Sequence, residues 1–565
     1  VDFNAVFSTL FVVGYNIERN ICLFPPEISF LPMSSMLSTQ TGNLQADTTA
    51  GHSRFGYSQS HWLMPAGLFV LLGVVFIWFY HLPFWHTDIW GHLAYGRVIW
   101  KTGRIPATEP LMLLANDVPF IETAWLCKVG GFLAIKLGGM IALHLLYAGG
   151  ITLCAGLLMQ RVYQQTRSSL TAVIAAVAFL SVSWQQLLII RPQLAGLVCY
   201  VALFVLLTKR QWKLLTWFAI PTLFVCWANL HGSFLSGLVM IASFAAGASL
   251  EASLKQHRFR ALVANPATGR YLLCLVIAIM AICANPYGYH IFENVWQIAN
   301  HPNLQQLIEW QPLSLRLKQG QAAAVVVGVL IVASYFSRKR ISITQLILLL
   351  GWGAAAMWTS RMILWWAPVL AYSVALQLNA WAREQEDRFI SAQSIYLQRV
   401  FQSLHQPHRF VWWLCVVILL TGWFWMRSPN GFVFNQNNGT AFQRGYSVQT
   451  PVGIAEYFKE QPTKELVLNT YEWGDYLLWA APDKLNVIVA SHAHLVPREI
   501  WRDYLSVTRL RPGWSNILDQ YHFGYVVLNK YKHRALMLQL KKHADWNIQY
   551  EDDWGVIFNR SVSVQ

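Results

Sequence analysis

The chain has 565 residues, of which 55% are apolar and only 12% charged, and its mean hydropathy is +0.36. Soluble domains carry about 25% charged residues, so this composition excludes a disordered chain, a disulfide-stapled secreted module and an ordinary soluble enzyme, and leaves a polytopic membrane protein. A net charge of +15 would point to nucleic acid in a soluble protein, whereas in a membrane protein it marks cytoplasmic loops, and no nucleic-acid partner is expected.

In chain order, residues 1–61 are polar, rich in Ser and Thr, and contain no spanning segment. The first residue is Val1, so either something was removed or an upstream non-ATG codon was translated and the working start is Met33 or Met36. No function is assigned to this segment. A spanning helix needs about 20 mostly apolar residues, and that window selects about eleven segments. They lie near 63–83, 139–159, 169–189, 193–208, 214–231, 233–252, 271–285, 321–337, 341–359, 362–379 and 410–426. The run 123–137, interrupted by Lys128 and Lys136, reads as interfacial or partly buried. The Trp clusters at 365–366, 412–413 and 423–425 read as interfacial belts.

Alternate loops differ in charge. One set holds Arg161, Arg167, Lys209, Arg210, Lys213, Lys255, Arg258, Arg260, Arg270, Arg338, Lys339, Arg340, Arg383, Arg388, Arg399 and Arg409. The other holds only Arg97, Lys101, Arg104, Arg191, Arg316, Lys318 and Arg361. Positive residues favour the cytoplasmic side, so the amino end is expected inside and everything after residue 427 outside, in the inner membrane of a cell. This gives a helical membrane domain over 62–427 with a large first outer loop, 84–138, and an extracytoplasmic α/β domain over 428–565. In the latter, β-rich runs at Leu466–Asn469, Asn486–Ala490, Tyr525–Asn529 and Val556–Phe558 alternate with helical patterns near 498–509, 514–521 and 532–543. A sequon, Asn438-Gly439-Thr440, precedes it. The eight cysteines contain no CxxC pair, so neither a zinc ribbon nor a disulfide framework is supported.

The distinctive polar residues all fall in the expected outer loops. Asp88 follows the first span. Glu122 lies later in the same loop, Arg191-Pro192-Gln193 and Trp227-Ala228-Asn229-Leu230-His231-Gly232 form turns, Asn285-Pro286-Tyr287-Gly288 and Glu309-Trp310 follow the seventh span, and Ser360-Arg361 caps another turn. Ionisable groups at a membrane edge are costly unless paired or hydrated, so their gathering on one face suggests a site. A carboxylate at Asp88 can act as a general base on a hydroxyl. Glu122 can orient it or help bind a cation, and the guanidiniums of Arg191 and Arg361 suit a phosphate. His86, Asp88 and His92 can ligate a divalent metal, with Asp88 and His92 about one helical turn apart. Each has a bland alternative: a helix cap for Asp88, burial against Arg97 or Arg104 for Glu122, contact with lipid phosphates for the arginines, and a structural turn for His231.

The stretch Asp88-Ile89-Trp90-Gly91-His92-Leu93-Ala94-Tyr95-Gly96-Arg97, followed by Gly103-Arg104-Ile105-Pro106 and Glu109-Pro110, resembles the first outer loop of bacterial membrane glycosyltransferases of the GT-C fold, the polyprenol-phosphate-sugar-dependent class. The resemblance runs on through the outer turns and into Asn469-Thr470-Tyr471-Glu472-Trp473-Gly474-Asp475-Tyr476-Leu477, covering about 62–560. It implies an inverting hexosyl- or pentosyltransferase in which Asp88 activates the acceptor with Glu122 beside it. His92, Arg97, Arg191, His231 and Arg361 would bind substrate, the arginines 191 and 361 holding the lipid phosphate. The partners implied are the bilayer, a polyprenyl-phosphate-linked sugar and an acceptor of unspecified kind. No cofactor is certain, although a divalent metal has a place. The chain departs from that pattern twice. Ile121-Glu122-Thr123-Ala124-Trp125 stands where relatives show Asn-His-Glu-Trp, and Ser491-His492-Ala493-His494 where they show Asp-x-Arg. Two other classes remain open: a transporter or lipid flippase, and a non-enzymatic assembly subunit whose outer domain docks a partner.

Overall fold

The computed structural model describes residues 60–82, 88–209, 211–257, 265–392, 446–447 and 449–561. The chain divides into two units, Val1–Tyr57 and Ser58–Gln565, and all described residues belong to the second. The expected span at 410–426, the sequon at Asn438, residue His86 and the Trp clusters beyond residue 411 lie outside the described residues.

The helical part begins with α1 (Ser60–Tyr80), α2 (Asp88–Thr102), α3 (Trp125–Thr166), α4 (Ser169–Leu187), α5 (Gln193–Leu207) and α6 (Leu214–Leu230). It continues with α7 (Phe234–Gln256), α8 (Pro266–Ile282), α9 (Ile291–Ala299), α10 (Lys318–Phe336), α11 (Ile343–Trp358) and α12 (Ile363–Ala392). Among the described residues five helices are long and apolar enough to cross a membrane: α3, α4, α7, α10 and the stretch Ser360–Gln385 that contains most of α12. Five shorter apolar helices match other expected segments. Four of these, α5, α6, α8 and α11, have 15–17 residues, which at 1.5 Å per residue falls short of a hydrocarbon core of about 30 Å. Among the described residues, therefore, five helices meet the length and hydropathy of a span, where about eleven spans were expected along the chain.

Large apolar side chains point outward all along this part, among them Phe69, Leu137, Leu215 and Tyr335. Helices that are apolar on every face suit a lipid surround, and the chain is a multi-pass membrane protein. Its centre is α12: Leu364, Trp365, Trp366, Val369 and Leu370 are all buried. Trp365 and Trp366 are thus core residues, not a belt, because their helix is enclosed by its neighbours.

The run expected to lie apart at 123–137 is joined to the following span in one kinked helix, α3. The kink is at Gly139, with φ 61° and ψ −154°, a conformation essentially reserved for glycine. The segment before the kink carries Lys128.

The carboxyl-terminal part contains α13 (Val452–Glu460), β1 (Leu466–Asn469), α14 (Tyr471–Ala480), β2 (Asn486–Val487), α15 (Arg498–Thr508), α16 (Trp514–Gln520), β3 (Phe523–Asn529), α17 (Arg534–Leu540), β4 (Trp546–Glu551) and β5 (Gly555–Arg560). The sheet order is β2-β1-β3-β5-β4. The β2–β1 and β1–β3 pairs are parallel, and the β3–β5 and β5–β4 pairs antiparallel. β2 is shorter than expected, and β4, where Asn547, Ile548 and Gln549 are exposed, has no inward alternation to announce it.

Candidate active site

Asp88 is the first residue of α2, and this helix is gripped from two sides through its glycines. A Cβ on Gly91 would lie 2.2 Å from Asp475 Oδ1, and one on Gly96 would lie 2.1 Å from the Lys128 carbonyl oxygen. The sequence thus places bare backbone where α14 and α3 press against α2. Arg97, about two turns beyond Trp90 and Gly91's contact with α14, donates to the Leu478 and Trp479 carbonyls at 2.8 and 3.0 Å. Its guanidinium also lies 4.8 Å from the Trp479 ring centroid. Arg97, expected to bind substrate, is placed as a bolt between α2 and α14.

Four charged groups from four separate segments meet at the start of α2. Arg191 donates from Nε to Asp88 at 2.6 Å and pairs through Nη1 with Glu309. Arg361 Nη1 reaches the other oxygen of Glu309 at 3.3 Å and lies over the Trp310 ring at 5.0 Å. The polar turns read from the sequence therefore converge. Burial alone would raise the Glu309 carboxyl, yet Arg361 and Arg191 hold it below its ordinary value. Burial alone would lower Arg191, yet Asp88 and Glu309 hold it above.

A second buried group lies alongside. Glu122 accepts the Ala124 backbone N–H at 2.8 Å and pairs with Lys128. Lys128 also donates to His492 Nε2 at 3.0 Å and lies 4.6 Å from the Tyr95 ring centroid. His492 Nε2 is 3.2 Å from His92 Nδ1, while its Nδ1 is 3.7 Å from Asp475 Oδ1. Burial first, and then the Lys128 charge, pushes His492 down to about 3 and His92 well below its ordinary value. Glu122 is thus buried against Lys128, where Arg97 or Arg104 was the alternative expected.

The other motifs have legible structural work. Asn229 accepts from Trp125 Nε1 at 2.9 Å and donates to Val225 and Ala284 carbonyls. Gly288, with φ 56°, completes a turn in which Asn285 accepts the Tyr287 N–H at 2.7 Å. That turn presents the Tyr287 hydroxyl to the Glu122 backbone N–H at 2.7 Å. His231 accepts the Ser233 N–H at 3.1 Å, and burial with Arg361 nearby pushes it down to about 3. Glu109, beneath α2, accepts from the Tyr95 hydroxyl at 2.9 Å, and burial raises it to about 7. A cleft of about 780 Å³ opens between the 103–125 loop and the 286–294 segment, walled by Ile105, Pro106, Phe120, Trp125 and Tyr287, with Arg104 and His290 also lining it.

For a divalent metal, Asp88 and His92 turn to different partners. Among the described residues no group of three or more His, Cys, Asp or Glu side chains is arranged to hold an ion. Lys128, Asp475 and His492 were not read from the sequence as site residues. Lys128 had a signal: an ionisable residue inside an apolar run near a membrane is costly unless paired.

The fold and this cluster define a multi-pass helical membrane protein whose carboxyl-terminal α/β part packs directly onto the helix bearing Asp88. No family model matches the chain, and no curated protein matches its sequence. Solved structures do. The chain is similar to the archaeal oligosaccharyltransferase AglB from Archaeoglobus fulgidus, solved with an inhibitory peptide and a dolichol-phosphate, with TM-score 0.49 and 12% identity over 88% of this chain and 74% of that one. It is also similar to ArnT from Cupriavidus metallidurans bound to undecaprenyl phosphate, with TM-score 0.46 and 13% identity over 90% of this chain and 99% of that one.

Proposed function

We propose that this protein is a membrane glycosyltransferase that moves a sugar from a polyprenyl phosphate carrier to an acceptor hydroxyl on the extracytoplasmic face. The observation that carries the reading is the position of Asp88: a buried carboxylate at the head of a clamped helix, held by a guanidinium from a second turn in a cluster that draws on two more. Asp88 takes the proton of the acceptor hydroxyl. The hydroxyl oxygen bonds to the anomeric carbon as the bond from that carbon to the phosphate oxygen breaks, with inversion, and the polyprenyl phosphate departs. Arg191 orients Asp88, and Arg361 meets the charge growing on the phosphate, where a water-poor setting strengthens the contact. Glu122 and Lys128 hold the loop, and the cleft beside Phe120 and Trp125 has a largely apolar wall and is large enough for an isoprenoid segment.

The fit of α14 against α2 supports an enzyme over a free docking module, because Asp475 and His492 reach the same helix as Asp88. The test is transfer from a radiolabelled polyprenyl-phosphate sugar to envelope acceptors by the purified protein. Asp88→Asn is expected to lower it by about a hundredfold or more while the protein still inserts and purifies as a single species. Unchanged transfer would remove Asp88 from the mechanism.

A further inference from the structure

Besides α14, the α/β part reaches the candidate site through the 492–496 turn, and that turn is built for contact. Asn303, itself buried, donates to the Ala493 and Val496 carbonyls at 2.8 and 2.9 Å. It thereby docks the 492–496 turn onto the loop that also carries Glu309. His492 projects from this turn into the space between α2 and α3. Its environment fixes its proton. Lys128 is a donor only, so the Nε2 atom 3.0 Å from Nζ must accept. The ring proton therefore sits on Nδ1, the atom facing Asp475 at 3.7 Å. In this tautomer Nε2 faces both Lys128 and His92 Nδ1, and the neutral ring stands between Lys128 of α3 and Asp475 of α14, with the Ser491 hydroxyl 3.5 Å from Nδ1. The low affinity of this buried ring for a second proton is consistent with that arrangement.

Gly91 makes the bridge bear on α2 itself. The Asp475 carboxylate and the His492 ring edge both lie against Gly91, three residues after Asp88, with distances of 2.2 and 3.1 Å to where a Cβ would be. α2 cannot rock toward the α/β part while that pair is in place, nor toward α3 while Gly96 rests on the Lys128 carbonyl. The first turn of α2, which carries Asp88, thus packs directly against His492.

We propose that His492 is a positioning residue for sugar transfer: through Lys128, His92 and Asp475 it locks α2 so that Asp88 faces the acceptor hydroxyl. The α/β part is then a component of the transfer site. The role of Asp88 in this statement rests on the function proposed above, whereas the locking of α2 does not, and the experiment separates them.

The test uses the full-length protein in nanodiscs and the variants His492→Ala and His492→Gln. Gln keeps a carbonyl to accept from Lys128, so it guards against a trivial loss of folding. Amide hydrogen exchange over 88–102 is read first. His492→Ala is expected to lose about tenfold in protection there while His492→Gln stays close to wild type. Unchanged protection in His492→Ala overturns the lock. Steady-state transfer is read second. His492→Ala is expected to lower kcat by about ten- to hundredfold with donor KM little changed, because a misplaced base slows chemistry without weakening binding. His492→Gln should restore most of kcat. Looser α2 with undiminished kcat overturns the positioning role. If the wild-type protein transfers no sugar at all, the proposed function fails, and the exchange measurement still decides the lock on its own.

Discussion

Replacing Arg191 by glutamine tests whether the cluster at the head of α2 is one interacting unit. The side chains of Arg191 and Asp88 are about nine-tenths buried, and that of Glu309 is 22% exposed. At an effective dielectric near 20, unit charges about 4 Å apart attract by about 4 kcal/mol, and removing one partner of a buried pair typically costs about 3–5 kcal/mol. Arg191→Gln takes the guanidinium from two carboxylates at once, so a loss of about 3–5 kcal/mol is expected. Glu309→Gln should cost less, because Arg191 keeps Asp88 and the amide can still accept from Arg361. The double variant removes one of the two carboxylates that the first change left without Arg191. It should fall short of the sum of the singles by about 1–3 kcal/mol. Unfolding in mixed detergent micelles, followed by tryptophan fluorescence at neutral pH, gives the three free energies. Additivity within about 0.5 kcal/mol would refute the description of these charges as a coupled set.

Two further outcomes follow from the same geometry. Gly91→Ala puts a methyl 2.2 Å from Asp475 Oδ1, whereas nothing lies within 4 Å of a Cβ on Gly130. The first should destabilise by about 1–3 kcal/mol and speed proteolysis of the α/β part, and Gly130→Ala should gain about 0.5–1 kcal/mol. Equal effects on unfolding would sink the clamp. Acid should also weaken the fold. His231 and His492 are pushed from 6.5 down to about 3, so the unfolded chain binds their protons first. Their contribution is complete above pH 6.5 and is lost as pH falls toward 3, by about 1.4 kcal/mol per unit for each ring. Glu109, raised from 4.5 to about 7, works the other way between those values and offsets one ring. His92 and His494, both lowered, add to the loss. A melting temperature that does not fall between pH 6.5 and 5 would contradict this balance.

The sequence made the helical part legible because its signal is long-range hydropathy, which needs no partner to be read. The polar turns were legible for a related reason: Asp88, Arg191, Glu309 and Arg361 stand out against apolar surroundings, and the alternation of loops put them on one side. What it could not supply was pairing. Arg97 looks like a substrate ligand until Leu478 and Trp479 appear beside it, nearly four hundred residues later in the chain. Lys128 looks like an interruption until Glu122 and His492 enclose it. Trp365 and Trp366 resemble a belt because aromatic pairs near helix ends usually are one, and only the packing around α12 shows them to be core. In the α/β part, β1, β3 and β5 are buried and apolar and so could be read, whereas β4 is an edge strand with exposed residues. The glycines of α2 carried the most compressed information. Gly91 and Gly96 appear in the motif without a reason, and the reason lies in the atoms pressed against them.

The charges at the site also bear on which arginine can serve a substrate. Asp88 and Glu309 offset Arg191 and Arg361, and Glu122 offsets Lys128, so an arriving phosphate finds each of these cations already paired. It must take a guanidinium already in use. Arg191 is committed to both carboxylates and is nearly enclosed, and moving it would release Asp88 at the moment the base is needed. Among the described residues Arg361 makes one ion pair, a longer one, with Glu309 at 3.3 Å, and about a fifth of its side chain is exposed. It also rests on the Trp310 ring, a surface along which a planar guanidinium can slide without losing its stacking partner. Under the proposed reading the two arginines, equivalent in the sequence, divide the work. Arg191 stays to orient the base, and Arg361 turns from Glu309 to the phosphate. Glu309 then remains paired with Arg191, so the exchange leaves no carboxylate of the cluster without a guanidinium.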